Sequence, residues 1–334
     1  MLRMILALIL SAAIVLLTGP KLIAWLRKLK LGQTMYELGP QSHLKKQGTP
    51  IMGGLCIALG CVVAFIVAGV SLGAWDHMLA LLFVALGSMA VGFADDWIKM
   101  VKKNHEGLKP MQKIIGQAAV CLGFALYCYF HPEVGSKIII PFFNVEWNLG
   151  IFYIPLLALT VLFMVNSANL QDGLDGILST VTAVGSIGWA AIALIAATTA
   201  LAAENTTIAV FALALCGACI GFLRFNHYPA TVFMGDTGSM FIGGAVVGMA
   251  MLLRQPFLLL LIAFTCVMSS VSVILQRYYF KLTRKLTGTP KRLFKMSPIH
   301  HHFEMCGMKE TQIVLMYAIV TLVLSAIAVL SVLI

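Results

Sequence analysis

The chain has 334 residues, of which 60% are hydrophobic and 11% charged, with a formal net charge of +10. Soluble domains carry about 25% charged residues. With a mean hydropathy of +0.95, the composition excludes a soluble protein, and no stretch is long and polar enough for a separate soluble domain.

Ten apolar runs follow one another: 4–26, 50–70, 78–98, 111–130, 151–168, 177–200, 207–223, 239–253, 257–280 and 312–334. Runs of about 20 apolar residues cross a bilayer as helices. The first run resembles a signal peptide in hydrophobicity. However, Arg27, Lys28 and Lys30 after it outweigh Arg3 before it, which predicts an N-out first helix. Segments 27–49, 99–113, 224–238 and 277–311 hold 19 of the 23 Lys and Arg residues. The alternate connections hold only Lys137 and Arg254. The positive-inside rule therefore places the basic set in the cytoplasm and both termini outside. The fold class expected is an all-α polytopic membrane protein of about ten transmembrane helices, one domain over 1–334, with five cytoplasmic loops forming the active site. Between the fourth and fifth runs, "KIIIPFFNVEW" has β-branched and aromatic residues around Pro141 and Asn144 and predicts a short hairpin. The ninth run continues through Lys281, Arg284 and Lys285, so its helix is expected to extend or bend before Gly288, with Ser269, Ser270 and Ser272 as the bend. The eight cysteines, including the Cys216–Cys219 CxxC, have no matching second pair and read as small buried side chains.

The polar residues gather in five stretches. In "HLKKQGTPIMGG", 43–54, Lys45 and Lys46 are either snorkelling lysines or a phosphate site. "MAVGFADDWIKM", 89–100, ends an apolar run on Asp95 and Asp96, at the helix end where cations are preferred. "NSANLQDGLDGI", 166–177, spaces Asn169, Asp172 and Asp175 by three, which puts them on roughly one face of a helical turn. In "RFNHYPATVFMGDTGSMF", 224–241, Asp236 precedes Thr237 and Ser239 at the mouth of an apolar helix. It reads as a helix cap, a divalent-cation carboxylate, or both. In "KRLFKMSPIHHHFEMCG", 291–307, adjacent histidines beside Lys291, Arg292 and Lys295 suit phosphate oxygens better than zinc.

Five of the six aspartates fall on the expected cytoplasmic side. Clustered carboxylates next to apolar spans are costly and mark function. Carboxylates with many cations describe phosphoryl chemistry on Mg²⁺. No GxxxxGK[ST] motif is present, so P-loop ATP hydrolysis is not indicated.

With "KKQGTPIMGG", "DDWIK", "NLQDGLDG", "FMGDTGS" and "PIHHHFE" in this order, the chain resembles the polyprenyl-phosphate N-acetylhexosamine-1-phosphate transferases along nearly its whole length. Within them it resembles the branch that uses a UDP-N-acetylmuramoyl-pentapeptide donor. One departure is Ile51, where Thr is expected. The resemblance implies transfer of the phospho-sugar to undecaprenyl phosphate, giving lipid I and UMP, with Mg²⁺ required. By motif position, Asp236 would bind the metal and Asp95 would act as base or nucleophile, with Asp96 and Lys99 assisting at the phosphates. Asn169, Asp172, Asp175, Asn226 and Phe233 would line the nucleoside pocket, with Phe233 stacking on uracil. Lys46, His300 and His301 would contact donor phosphate or sugar. A homodimer in the bacterial cytoplasmic membrane is implied, with no nucleic-acid partner. The rival readings are a transferase for another UDP-sugar and a secondary transporter. The transporter expects carboxylates near the midplane and paired repeats, and the sequence has neither.

Overall fold

The computed structural model describes residues 1–28, 48–102, 107–198 and 201–333. Twelve helices and one hairpin run along these residues. They are α1 (Leu2–Lys28), α2 (Gly54–Gly69), α3 (Trp75–Lys102), α4 (Pro110–Phe130), β1 (Lys137–Ile140) and β2 (Val145–Asn148). Then come α5 (Tyr153–Gln171), α6 (Ile177–Ala197), α7 (Ala202–Asn226), α8 (Gly235–Leu252), α9 (Leu259–Ile262), α10 (Phe264–Thr287), α11 (Ile299–Met305) and α12 (Glu310–Leu333).

Among the described residues, nine helices are long and apolar enough to cross a membrane, and each coincides with an expected run. The ninth expected run, 257–280, is instead a broken pair: Pro256–Ile262 and Phe264–Thr287 meet at 88°. The break lies at Ala263, whose φ of −103° and ψ of 23° leave the helical region. It does not lie at the serines, which sit inside uninterrupted α10. Ser269 and Ser272 donate back to the carbonyls of Thr265 and Ser269, and Ser270 pairs with Ser167 of α5 at 2.7 Å. Their hydroxyls tie α10 to itself and its neighbour. As expected, α10 does run on to Gly288, which caps it at φ 75°.

The hairpin also forms as expected, with Lys137 opposite Asn148 and Ile140 opposite Val145. Phe142 and Asn144 take positive φ in its turn. Seven cysteines are buried as expected, but Cys306 is exposed, because it caps the short α11 beyond the packed part of the bundle.

α8 lies at the centre of the bundle and is buried almost all round, whereas α1, α4 and α12 expose broad apolar faces. Without a hydrophobic force between helices in lipid, close backbone approach through small residues does the work. A Cβ on Gly92 of α3 would lie 2.2 Å from the Asp236 carbonyl oxygen, and one on Gly244 of α8 would lie 2.6 Å from the Val84 carbonyl oxygen. α3 and α8 are thus pressed backbone to backbone at the level where their aspartates sit.

Candidate active site

With 28 residues, α3 is about 42 Å long, against a hydrocarbon core of about 30 Å. Its last turns are therefore free to carry charge. Asp95 and Asp96 are both buried there. Asp236 stands in the first turn of α8. Oxygens from these three carboxylates lie within 4.8 Å of one another.

Two lysines hold this negative charge together. Lys99, one turn beyond Asp95, places its Nζ 2.6 Å from Asp95 and 3.1 Å from Asp236 Oδ2. Lys113, from the first turn of α4, donates to the same Asp236 oxygen at 2.8 Å. The Lys113 ammonium also lies 4.0 Å from Asp95. Acid at the end of α3 and base at the start of α4 each oppose their own helix dipole; placed together, the two mismatches offset one another. With every carboxylate ionised, three acids and two ammoniums leave one negative charge.

Each carboxylate has its own setting. Asp95 Oδ1 accepts the Leu108 N–H at 2.9 Å. Asp96 accepts from the N–H groups of Asp236 and Thr237 and from the Thr237 hydroxyl. It caps α8 from another helix. Asp236 Oδ1 accepts from Asn169 Nδ2 at 2.8 Å, and that amide also reaches the Ser239 hydroxyl. Below them, Gln117 and Asn166 exchange amide hydrogen bonds between α4 and α5.

Two loops are cross-linked beside this cluster. Asp175 Oδ2 accepts the Ala230 N–H, and its own N–H is held by Glu310. Buried Asn226 accepts from Gly176 N–H and donates to the Val232 carbonyl. These two residues lock the 172–176 loop onto the 227–234 segment. Half-buried Asp172 lies between them and the cluster. Its burial, and then Asp236, Asp96 and Asp175, push its carboxyl up to about 8. Half-buried Phe233 belongs to a short ladder with the first motif: its N–H donates to Pro50, and its carbonyl accepts from Gly53. Gly54 then approaches Gly238 so closely that a Cβ would lie 2.1 Å from that Cα.

The histidine loop docks on the same region. A Cβ on Gly173 would lie 2.3 Å from His300 Nε2 and 3.0 Å from His301 Nε2. The two imidazoles stack edge to face at 4.3 Å, and His301 Nδ1 meets Glu304 at 3.2 Å. His302 turns the other way and accepts the Lys295 N–H. Gln276 of α10 anchors the loop through the N–H groups of Leu293 and Phe294, and Ser272 does so through that of Ile299.

The structure therefore brings together Asp95, Asp96, Lys99, Asn169 and Asp236, with Asp172 electrostatically linked to them. Asp175 and Phe233 lie in the adjoining loops, Asn226 ends α7, and His300 and His301 stand in α11. Lys46 lies outside the described residues, as do Lys45 and the first part of its motif. Sequence reasoning missed Lys113, Thr237 as a partner of Asp96, and the Gln117–Asn166 pair. Lys113 carried a signal: a cation in the first turn of an apolar helix, the mirror image of Asp95.

Residues 78–254 match the family model for glycosyl transferase family 4. The chain is 43% identical over 320 residues to a phospho-N-acetylmuramoyl-pentapeptide-transferase of Clostridioides difficile (strain 630), covering 96% of this chain and 94% of that protein. It is 40% identical over 333 residues to the protein of that name from Clostridium kluyveri (strain NBRC 12016), covering 99% and 100%. Against that of Clostridium perfringens (strain 13 / Type A) it is 41% identical over 327 residues, covering 98% of each. Identity of this extent spans every element that builds the carboxylate–lysine cluster, and the chain belongs to the phospho-N-acetylmuramoyl-pentapeptide-transferases of glycosyl transferase family 4.

Proposed function

We propose that the cluster of Asp95, Asp96, Lys99, Lys113 and Asp236 is where this transferase moves phospho-N-acetylmuramoyl-pentapeptide from its UDP-linked donor to undecaprenyl phosphate. The products are lipid I and UMP, and the step is the first membrane step of peptidoglycan synthesis. The observation that carries the assignment is the interleaving of three buried carboxylates with two lysines at one end of α3, α4 and α8.

Hard carboxylate oxygens this close together suit Mg²⁺, which binds through one or two carboxylates and substrate phosphates. Asp236 is the carboxylate we assign to it, since Asp96 is engaged with the first turn of α8. Bound there, Mg²⁺ supplies neutralisation of the donor diphosphate.

The protein groups divide the remaining work. Lys99 and Lys113 offer ammoniums to phosphate oxygens, and Asn169 fixes the direction of Asp236. Asp95 orients the acceptor phosphate. That phosphate has a second pKa of roughly 6 by analogy with phosphorylated side chains, so it is largely dianionic near neutral pH and needs little activation. Positioning and charge neutralisation then supply most of the rate enhancement, as in other phosphoryl transfers. Asp172, Asp175, Asn226 and Phe233 bound the nucleoside pocket, where Phe233 stacks on uracil. Lys46, His300 and His301 contact the donor phosphates or sugar.

The whole chain is read as one domain with both termini outside. The cluster faces the cytoplasm, where the basic connections lie, in the bacterial cytoplasmic membrane, and the protein works as a homodimer. The test is UMP release from UDP-N-acetylmuramoyl-pentapeptide by purified protein, with and without undecaprenyl phosphate and Mg²⁺. Release that requires all three supports the assignment. Equal turnover of UDP-N-acetylglucosamine would move it to another donor.

A further inference from the structure

α3 and α4 run antiparallel and carry ionisable clusters at both ends. Asp76 precedes Asp95 by 19 positions, and Lys113 precedes His131 by 18. Each separation is about 28 Å along a helix, so the second cluster is remote from the first. It consists of Asp76, His77, His131 and Glu133. The Asp76 carboxylate meets His131 Nε2 at 2.8 Å and His77 Nδ1 at 3.4 Å. The two imidazoles face each other edge to face at 5.2 Å. One ligand atom from each of the four residues lies within 4.8 Å of all the others.

Nothing in the transfer chemistry uses these groups, and although Asp76 is exposed, the other three are wholly or partly buried. His77 is buried, at 1% exposure. Glu133 Oε2 is a buried oxygen with no hydrogen-bond partner among the described residues. A carboxylate oxygen taken from water without a donor is costly. A cation placed among the four residues would satisfy it.

We propose that Asp76, His77, His131 and Glu133 form a divalent-cation site of the zinc class at the end of the bundle opposite the transfer site. Two imidazoles and two carboxylates are a borderline donor set, preferred by Zn²⁺ over Mg²⁺ or Ca²⁺. Zn–ligand bonds of about 2.0–2.2 Å put tetrahedral ligands about 3.3 Å apart. Side-chain rotations of about 1–2 Å therefore close the site on the ion. The Glu133 N–H donates to His131 Nδ1 at 3.3 Å, which leaves the imidazole proton on Nε2, facing Asp76. On loading, that proton moves to Nδ1, Nε2 takes the metal, and the long contact from the Glu133 N–H gives way. The ion would clamp the turn at 131–136 to the start of α3. That turn leads directly into β1, whose Ile139 N–H is held by Arg254. The consequence is a metal-dependent anchor for the hairpin, without a part in catalysis.

The test uses full-length protein in detergent, stripped with chelator and titrated with Co²⁺ and then Zn²⁺. The expected results are one Co²⁺ per chain with visible absorption of a tetrahedral N/O site, displacement of Co²⁺ by one Zn²⁺, and a melting temperature several degrees higher. Glu133→Gln and His131→Asn should lose both the spectrum and the shift while UMP release stays at the wild-type rate. Asp236→Asn and His302→Asn should keep both, which excludes the transfer site and the histidine loop as the source. Absence of a tetrahedral Co²⁺ spectrum in the wild type would overturn the proposal. So would a spectrum retained in Glu133→Gln, since Gln preserves shape and supplies a poor ligand. A melting temperature that depends on pH but not on metal would instead make the cluster a hydrogen-bonded clasp.

Discussion

Asp96 of α3 accepts both the backbone N–H and the hydroxyl of Thr237, at 2.9 and 2.7 Å, and so caps a helix on which it does not lie. Its other oxygen takes the Asp236 N–H at 3.2 Å. Two of the orphan donors of α8 are thus satisfied by a carboxylate from a neighbour, and an acidic group sits at the positive end of that helix. This arrangement fixes where Asp236 stands.

Thr237→Val removes one of these bonds and little volume. The expected cost is about 1–2 kcal/mol of stability, read as a lower melting temperature. Turnover should fall as well, because Asp236 loses its register, while KM for the UDP-linked donor changes little. A variant that melted and turned over like the wild type would show that the cap does not position Asp236.

Asp236→Asn keeps the shape of the side chain and removes its charge. Lys99 and Lys113 then lose the anion they share. Turnover should nearly vanish in a folded protein, and residual activity should need more Mg²⁺, since few protein ligands remain. Near-normal activity with unchanged Mg²⁺ dependence would leave Asp236 as a structural residue of the first turn.

Lys113→Gln tests the residue that the motifs did not single out. A lost hydrogen bond between charged groups is worth about 1.5–3 kcal/mol, so turnover should fall about 10- to 100-fold. The comparison with Lys99→Gln is informative, because Lys99 touches Asp95 closely and Lys113 does not. If Lys113 serves only the fold, the variant will lose melting temperature and keep kcat.

The helices were legible because the hydrocarbon core demands uniform apolar runs of known length, and the hairpin because Pro141 and Asn144 punctuate β-branched residues. The break at Ala263 was not legible. No Gly or Pro stands there, and Pro256 lies seven positions earlier. Asp95 and Asp96 stood out because they violate the dipole rule, and Lys113 violates it in the opposite sense. What separates the two aspartates is invisible locally, since the partner of Asp96 lies 141 positions away. In Asn226, likewise, both ends of the amide are taken by backbone from two other segments.

Asp172 gives a pH dependence whose sign is fixed. Its folded carboxyl is pushed up to about 8 from an ordinary 3.8, by burial and then by Asp236, Asp96 and Asp175. Between these values the native state holds a proton that the unfolded state has released. Stability therefore falls as pH rises through this window. Asp172→Asn mimics the protonated form and removes that dependence. Relative to the wild type it should melt higher at pH 9, and the advantage should vanish towards pH 4. Parallel melting curves across pH would place Asp172 in contact with solvent and out of reach of Asp236.

Asp95 separates two routes for the transfer. In a two-step route its carboxylate attacks the donor phosphate and a phospho-sugar enzyme intermediate forms. In a one-step route it orients the lipid phosphate, which attacks directly. The geometry favours one step. Asp95 Oδ2 is held by the Lys99 ammonium at 2.6 Å and Oδ1 by the Leu108 N–H at 2.9 Å, so both oxygens are already engaged and blunted as nucleophiles. The acceptor is itself an anion, and an acyl phosphate would gain little over direct transfer. One step makes UMP release depend strictly on undecaprenyl phosphate. It also predicts that Asp95→Asn loses much of its activity yet keeps a residue that rises with pH, as more acceptor becomes dianionic. The deciding experiment is a single turnover with donor labelled in the phospho-sugar and enzyme freed of lipid. No UMP should appear until undecaprenyl phosphate is added. Stoichiometric UMP with label bound covalently to the protein, and absent in Asp95→Asn, would establish the two-step route instead.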